Sequence, residues 1–173
     1  AVSGSGYKGV RDLEEGMKGN APTNYPHTIY NNCLPHIDDF LENGYTKEEE
    51  KMINETRKIL NKPDLKVTAT TVRVPVFNSH SVSINIEFEN KFEMQDIYSA
   101  LREVENLVIV DDVKNNNYPM PINATGTDEV YIGRIRRDFS VENGINLWDV
   151  ADNIRKGAAS NAIQIAEKLF DIR

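Results

Sequence analysis

The sequence has a single cysteine, Cys33, and one tryptophan in 173 residues. A lone cysteine excludes an internal disulfide framework and offers no zinc-ligand spacing, so no metal is expected. No apolar run approaches the ~20 residues that a membrane-spanning helix needs. Basic residues are in deficit: 20 Lys and Arg stand against 27 Asp and Glu, a net charge of −7 that argues against non-specific nucleic-acid binding. The start, AVSGSGYKGV, has no charged-then-apolar leader pattern. These absences point to a protein of the cytoplasm with no membrane or nucleic-acid partner. No low-complexity linker or internal repeat breaks the chain, and its length suits one domain, 1–173, with a real core.

The pattern is clearest over 66–90, KVTATTVRVPVFNSHSVSINIEFEN. Val72, Val74 and Val76 alternate with Arg73 and Pro75, and Val82, Ile84, Ile86 and Phe88 alternate with polar residues. A period of two predicts two strands, joined by a turn near Phe77 to Ser79. Arg73 is a charge on the face opposite the valines, and His80 opens the second strand. A guanidinium fork can grip a carboxylate or phosphate, and an imidazole can take up a proton near neutral pH. The plainer reading is a surface ion pair and a turn histidine.

Upstream, the glycine-serine loop 2–6 leads into a short helix with Val10, Leu13 and Met17 on one face. Such a loop can bring backbone N–H groups to a phosphate, although most are simply loops. Residues 18–45 read as irregular. Cys33 lies among apolar neighbours there, which suggests packing, with His36 three residues on as a conceivable activating base. TKEEEKMINETRKILN predicts a helix with a Thr46–Glu49 capping box and an inward stripe of Met52, Ile53, Thr56, Ile59 and Leu60. Glu48 and Lys51 flank that stripe, whereas Glu49 and Glu50 are expected to point to water. The pair reads either as ordinary surface charges or as a carboxylate and an ammonium aimed into a cleft.

A second amphipathic helix carries Met94, Ile97, Leu101 and Val104. A short strand, LVIVDDV, and a long polar loop over 114–128 follow, then strands at VYIGRIRRDFS and GINLWDVAD. Arg134, Arg136 and Arg137 read as solvated or ion-paired, and Trp148 as a core or interface anchor. The chain closes on a helix with Ala159, Ala162, Ile163, Ala166 and Leu169 or Phe170 inward. The order of elements predicts an α+β fold, a mixed and largely antiparallel sheet with helices packed on one face.

Six stretches occur in one order along the chain: AVSGSG, PHIDDFLENGYTKEEEKM, TTVRVPVFNSHS, YPMPINATG, VYIGRIRRD and NLWDVADNIRKGAASNAIQIAE. In these the chain resembles the C-terminal, substrate-binding and dimerisation domain of bacterial aspartate-β-semialdehyde dehydrogenases. That domain shares its architecture with the C-terminal domain of glyceraldehyde-3-phosphate dehydrogenase. The resemblance implies part of an NADP-dependent enzyme that converts aspartyl-4-phosphate to aspartate β-semialdehyde with release of inorganic phosphate, through a thioacyl-enzyme. It places that enzyme in lysine, threonine and methionine biosynthesis, as a homodimer. By matching motif, His80 resembles the general base, Arg73 the clamp on the substrate α-carboxylate, Glu48 the acceptor of its α-amino group and Lys51 a phosphate-holding cation. Ser3, Gly4 and Asn153 resemble cofactor contacts.

The family's Ser-Asn-Cys-Thr nucleophile motif and its dinucleotide-binding loop do not occur here, and Cys33 stands where the family usually has an aliphatic residue. The resemblance therefore implies that the N-terminal Rossmann domain is absent and that the isolated chain is inactive. A non-catalytic dimerising scaffold and the related N-acetylglutamyl-phosphate reductase remain the alternative readings. The stretches TKEEEKM and VRVPVFNSHS fit the reductase less well.

Overall fold

A computed structural model describes residues 1–170. The backbone clusters into two compact units, Ala1–Phe77 and Asn78–Arg173.

The first unit opens on a 3₁₀ turn, Val2–Ser5, and helix α1, Gly6–Met17. Its core is Val2, Leu13, Ile29 and Leu34, with Val10 and Tyr25 packed against them, while Met17 at the helix end is half exposed. Residues 18–45 carry no named helix or strand, as the Asn- and Pro-rich composition suggests. Helix α2, Lys47–Ile59, starts at the expected capping box: Thr46 Oγ1 accepts from Glu49 N, and Glu49 Oε2 accepts from Thr46 N at 2.8 Å.

Two expectations fail at α2. Glu49 is buried, not turned to water, because its other oxygen accepts the Thr71 N–H at 2.8 Å. Of the apolar stripe only Ile53 is buried, and Ile59 and Leu60 are exposed, because this unit builds its core on α1 and leaves α2 a narrow contact.

The predicted strand over 72–76 does not form. Pro75 has no N–H to give a ladder, and Val76 N bonds back to Val74 O in a tight turn. What survives is one antiparallel bridge, Leu34 with Arg73. The expected hairpin is absent for the same reason, and its turn coincides with the boundary between the units.

The second unit is a four-stranded sheet in the order β1-β4-β3-β2, with β1 His80–Glu87, β2 Leu107–Ile109, β3 Val130–Asp138 and β4 Gly144–Ala151. The β1–β4 and β3–β4 pairs are antiparallel and β2–β3 is parallel, as the mixed α+β reading expects. Helix α3, Met94–Arg102, lays Met94, Ile97 and Leu101 on the cluster of Ile132, Ile135, Ile145 and Leu147. Val104 falls beyond the helix end and is half exposed.

The polar stretch after β2 holds a 3₁₀ turn, Val113–Asn115, and one turn of helix, α4, Pro121–Ala124. Trp148 is half-buried and donates from Nε1 to Pro119 O at 3.0 Å. A bulge follows Gly133, where Asp111 accepts the backbone N–H groups of Arg134 and Ile135. Arg137 stacks on Phe92 and bonds its carbonyl, so of the arginine cluster this one is structural. After β4 comes a π-helical turn, Arg155–Ala159, and helix α5, Ser160–Phe170. Its expected inward stripe is not covered by the rest of the described unit: Ile163, Leu169 and Phe170 are 60–73% exposed. Among the described residues, no helix is long and apolar enough to cross a membrane.

Alternation puts Asp149 on the same face of β4 as Ile145 and Leu147, between Val82 and Ile132 of the neighbouring strands. Burial pushes its carboxyl up to about 6, from an ordinary 3.8. A raised carboxyl binds more protons folded than unfolded, so stability falls as pH rises from about 4 through about 6. We predict that Asp149→Asn stabilises the chain at pH 8 by about 2 kcal/mol, with no gain near pH 4. Thermal melts of both proteins across that range check this; a pH-independent difference would refute it.

Candidate functional site

Each residue singled out in the sequence is held by identifiable local chemistry. Arg73 is only 8% exposed. Its backbone is pinned by the bridge to Leu34, Nη1 donates to Ala1 O at 2.7 Å, and Cζ lies 5.7 Å from the centroid of the Tyr25 ring. It has no carboxylate partner among the described residues. Of its five N–H donors one group is taken by the Ala1 carbonyl, and since no buried side-chain nitrogen lacks a partner among the described residues, the others still reach solvent and are open to a ligand.

Arg73 lines a pocket of about 240 Å³ with Ser5, Asn24, Tyr25, His36 and Asp38 among its walls. A larger cleft of about 440 Å³, from Asp111 to Arg136, holds none of the sequence-predicted site residues. Its Asp111 is occupied in holding the bulge, so the smaller pocket is the better site on chemistry.

Glu48 and Lys51 sit one turn apart on α2, Nζ to Oε2 3.5 Å, and neither lines the Arg73 pocket. Ser3 and Gly4 lie in the opening 3₁₀ turn, where Ser3 N donates to Phe77 O at 3.0 Å. Cys33 is exposed, so it does not pack in the core as expected, and His36 stacks on Phe40 with ring centroids 5.1 Å apart. No group of acids, histidines and cysteine fit to hold a metal occurs among the described residues.

In the second unit His80 is the first residue of β1. The residue before it, Ser79, is buried with φ of 75°. It is held there by Asn153, whose Oδ1 accepts the Ser79 N–H at 2.8 Å, and by Thr125, whose hydroxyl lies 3.0 Å from Ser79 Oγ. Asp152 beside it is buried and accepts from the N–H groups of Gly126, Ile154 and Arg155. Asn153, singled out as a cofactor contact, thus also fixes the turn that launches His80.

Three contributors went unread in the sequence: Tyr25, Asp12 and Ser79. The one available signal was that the long irregular stretch 18–45 must be tied to something.

Over residues 1–156 the chain matches the family model described as semialdehyde dehydrogenase, dimerisation domain. The chain belongs to this family. An Aquifex aeolicus aspartate-semialdehyde dehydrogenase is 50% identical over 176 residues, which cover 98% of this chain and 52% of that protein. A Vibrio cholerae aspartate semialdehyde dehydrogenase II crystallised with ASA superimposes with a TM-score of 0.91 at 40% identity, over 99% of this chain and 52% of the other. An aspartate semialdehyde dehydrogenase with NADP from Candida albicans matches at a TM-score of 0.64 and 27% identity, over 82% of this chain and 45% of its own. This semialdehyde dehydrogenase domain spans about half the length of the relatives it matches.

The left-handed turn at Ser79 gives a direct check. A β-branched residue at such a φ is strained, whereas glycine adopts it freely. Ser79→Val is expected to cost the chain about 3 kcal/mol in urea unfolding and Ser79→Gly no more than about 1 kcal/mol. Equal losses would mean the backbone at 79 is not the constraint.

Proposed function

We propose that this chain is the substrate-binding part of an NADP-dependent aspartate-semialdehyde dehydrogenase, and that the whole enzyme works as a homodimer. The observation that carries the reading is the buried, carboxylate-free guanidinium of Arg73. It lines a pocket large enough for a four-carbon amino acid. A fork with unfilled donors takes a carboxylate through two parallel hydrogen bonds. Asp38 and Asp39 on the same pocket add negative charge to its wall. Relatives named for this enzyme, one of them solved with ASA, support the assignment.

The remaining roles follow by matching motif. His80 takes the proton from the nucleophilic thiol, which another part of the enzyme supplies. Arg73 holds the α-carboxylate, Glu48 receives the α-amino group and Lys51 helps hold the phosphate, with inorganic phosphate as the product of reduction. The cofactor would carry the hydride, given by NADPH in the reductive direction and accepted by NADP in the reverse. Asn153 fits that cofactor in kind, since its carboxamide is anchored by Ser79 and an amide suits a nicotinamide carboxamide; Ser3 and Gly4 are assigned to the cofactor by motif alone. The pathway assignment, to lysine, threonine and methionine formation in the cytoplasm, rests on the same motifs.

The test is phosphate-dependent reduction of NADP by the full-length protein carrying this chain, with aspartate β-semialdehyde as substrate. His80→Ala is expected to lower kcat by ~100- to 10,000-fold, the usual worth of general acid–base help. An unaffected variant would remove His80 as the base. A full-length wild type with no turnover would favour the scaffold reading.

A further inference from the structure

We infer that Asp12 and Tyr25 are positioning residues: Asp12 locks the turn that aims the Tyr25 ring at Arg73, and the ring holds the guanidinium ready for the substrate carboxylate. The inference rests on Arg73 being the carboxylate grip proposed above.

Asp12 lies on α1 and is 2% exposed. Its Oδ1 accepts from Thr23 N and Thr23 Oγ1, both at 2.9 Å, and its Oδ2 accepts from Asn24 N and Tyr25 N, both at 2.8 Å. One carboxylate thus collects four donors from three consecutive residues, which fixes their backbone. A charged acceptor makes each bond stronger than a neutral one would. Burial, the largest influence on the group, would raise its pKa; the donors together bring it below the ordinary value.

From that fixed turn Tyr25 leaves in one direction. Its hydroxyl donates to Val2 O at 3.3 Å and its ring lies under Arg73. Gly9 permits the approach, since a Cβ there would overlap both the Tyr25 hydroxyl and Val2 O. The same turn supplies Asn24, Tyr25 and Pro26 as a wall of the Arg73 pocket, so Asp12 shapes the pocket without touching it.

The arrangement suits a carboxylate grip. Arginine carries much rotamer freedom, and a side chain ordered in advance loses less on binding. A ring face orders the guanidinium by cation–π attraction and leaves its N–H donors unused, which a carboxylate at that place would not.

The experiment uses the full-length enzyme and reads KM for aspartate β-semialdehyde separately from kcat, with thermal melts to confirm folding. Tyr25→Leu is expected to raise KM about tenfold while kcat stays within about threefold, and Tyr25→Phe, which keeps the ring, to recover most of that affinity. Asp12→Asn is expected to raise KM in the same way. In an Arg73→Lys background, Tyr25→Leu should add less than about twofold. A raised KM in Arg73→Lys with an unchanged KM in a folded Tyr25→Leu overturns this inference alone. An unchanged KM in Arg73→Lys overturns the grip itself, and this inference with it. Equal losses in Tyr25→Leu and Tyr25→Phe also overturn it, since they would assign the effect to the hydroxyl.

Discussion

The constraint on which both units depend is the need to satisfy backbone N–H groups in chain that is neither helix nor strand. A buried N–H without a partner costs about as much as a lost hydrogen bond and its desolvation together. The protein meets this with buried or half-buried carboxylates that each gather several donors. Asp12 ties down 23–25, and Glu49 joins the start of α2 to Thr71. Asp111 takes the two N–H groups of the β3 bulge together with the Tyr98 hydroxyl, and Asp152 takes three from 126, 154 and 155. A side-chain amide could not replace them, because its NH₂ would face a donor.

This economy bears on where the proposed site residues sit. Arg73, Tyr25 and Asn153 all lie outside the named helices and strands, where side chains can be aimed without obeying a helical or sheet period. Loops carry function when a rigid frame positions them. Here the frame is as much carboxylate as secondary structure. Asp12, Glu49 and Asp152 all have lowered pKa values despite burial, so their hold is present above the ordinary carboxylate range and is lost as pH falls through the lowered values.

The second unit was largely legible in the sequence. Alternation in β1 and the helical spacing of α3 are direct consequences of one face packing on one core, and these two elements, with β3 and β4, appeared at the expected places. The first unit was less so. Val72 to Val76 alternate as a strand would, yet periodicity does not register that Pro75 cannot donate, and a bridge at Arg73 is all that forms. Glu49 reads as a surface residue because the helix pattern does not see Thr71, 22 positions away. The exposed face of α5 shows the same limit from the other side: an apolar stripe predicts burial, but not by what. Arg73 stood out as a charge in an apolar run, while Tyr25 did not, because an aromatic in a Pro- and Asn-rich stretch carries no pattern.

The partners of Arg73 bear on the binding role proposed for it. Within the protein the guanidinium has one hydrogen bond from a charged donor, about 1.5–3 kcal/mol, and a ring contact of about 0.5–2 kcal/mol. Among the described residues no buried side-chain nitrogen lacks a partner, so the rest of the fork still reaches water. An arginine with a purely structural role commonly fills its fork with a carboxylate, as Arg155 does with the two oxygens of Asp128 at 2.9 and 2.6 Å. Arg73 is instead held by neutral groups that order it without discharging it. A uniformly paired site would gain stability and lose its ligand. The donors that Arg73 leaves to water are the ones that a carboxylate fitting the fork would take up in the proposed role.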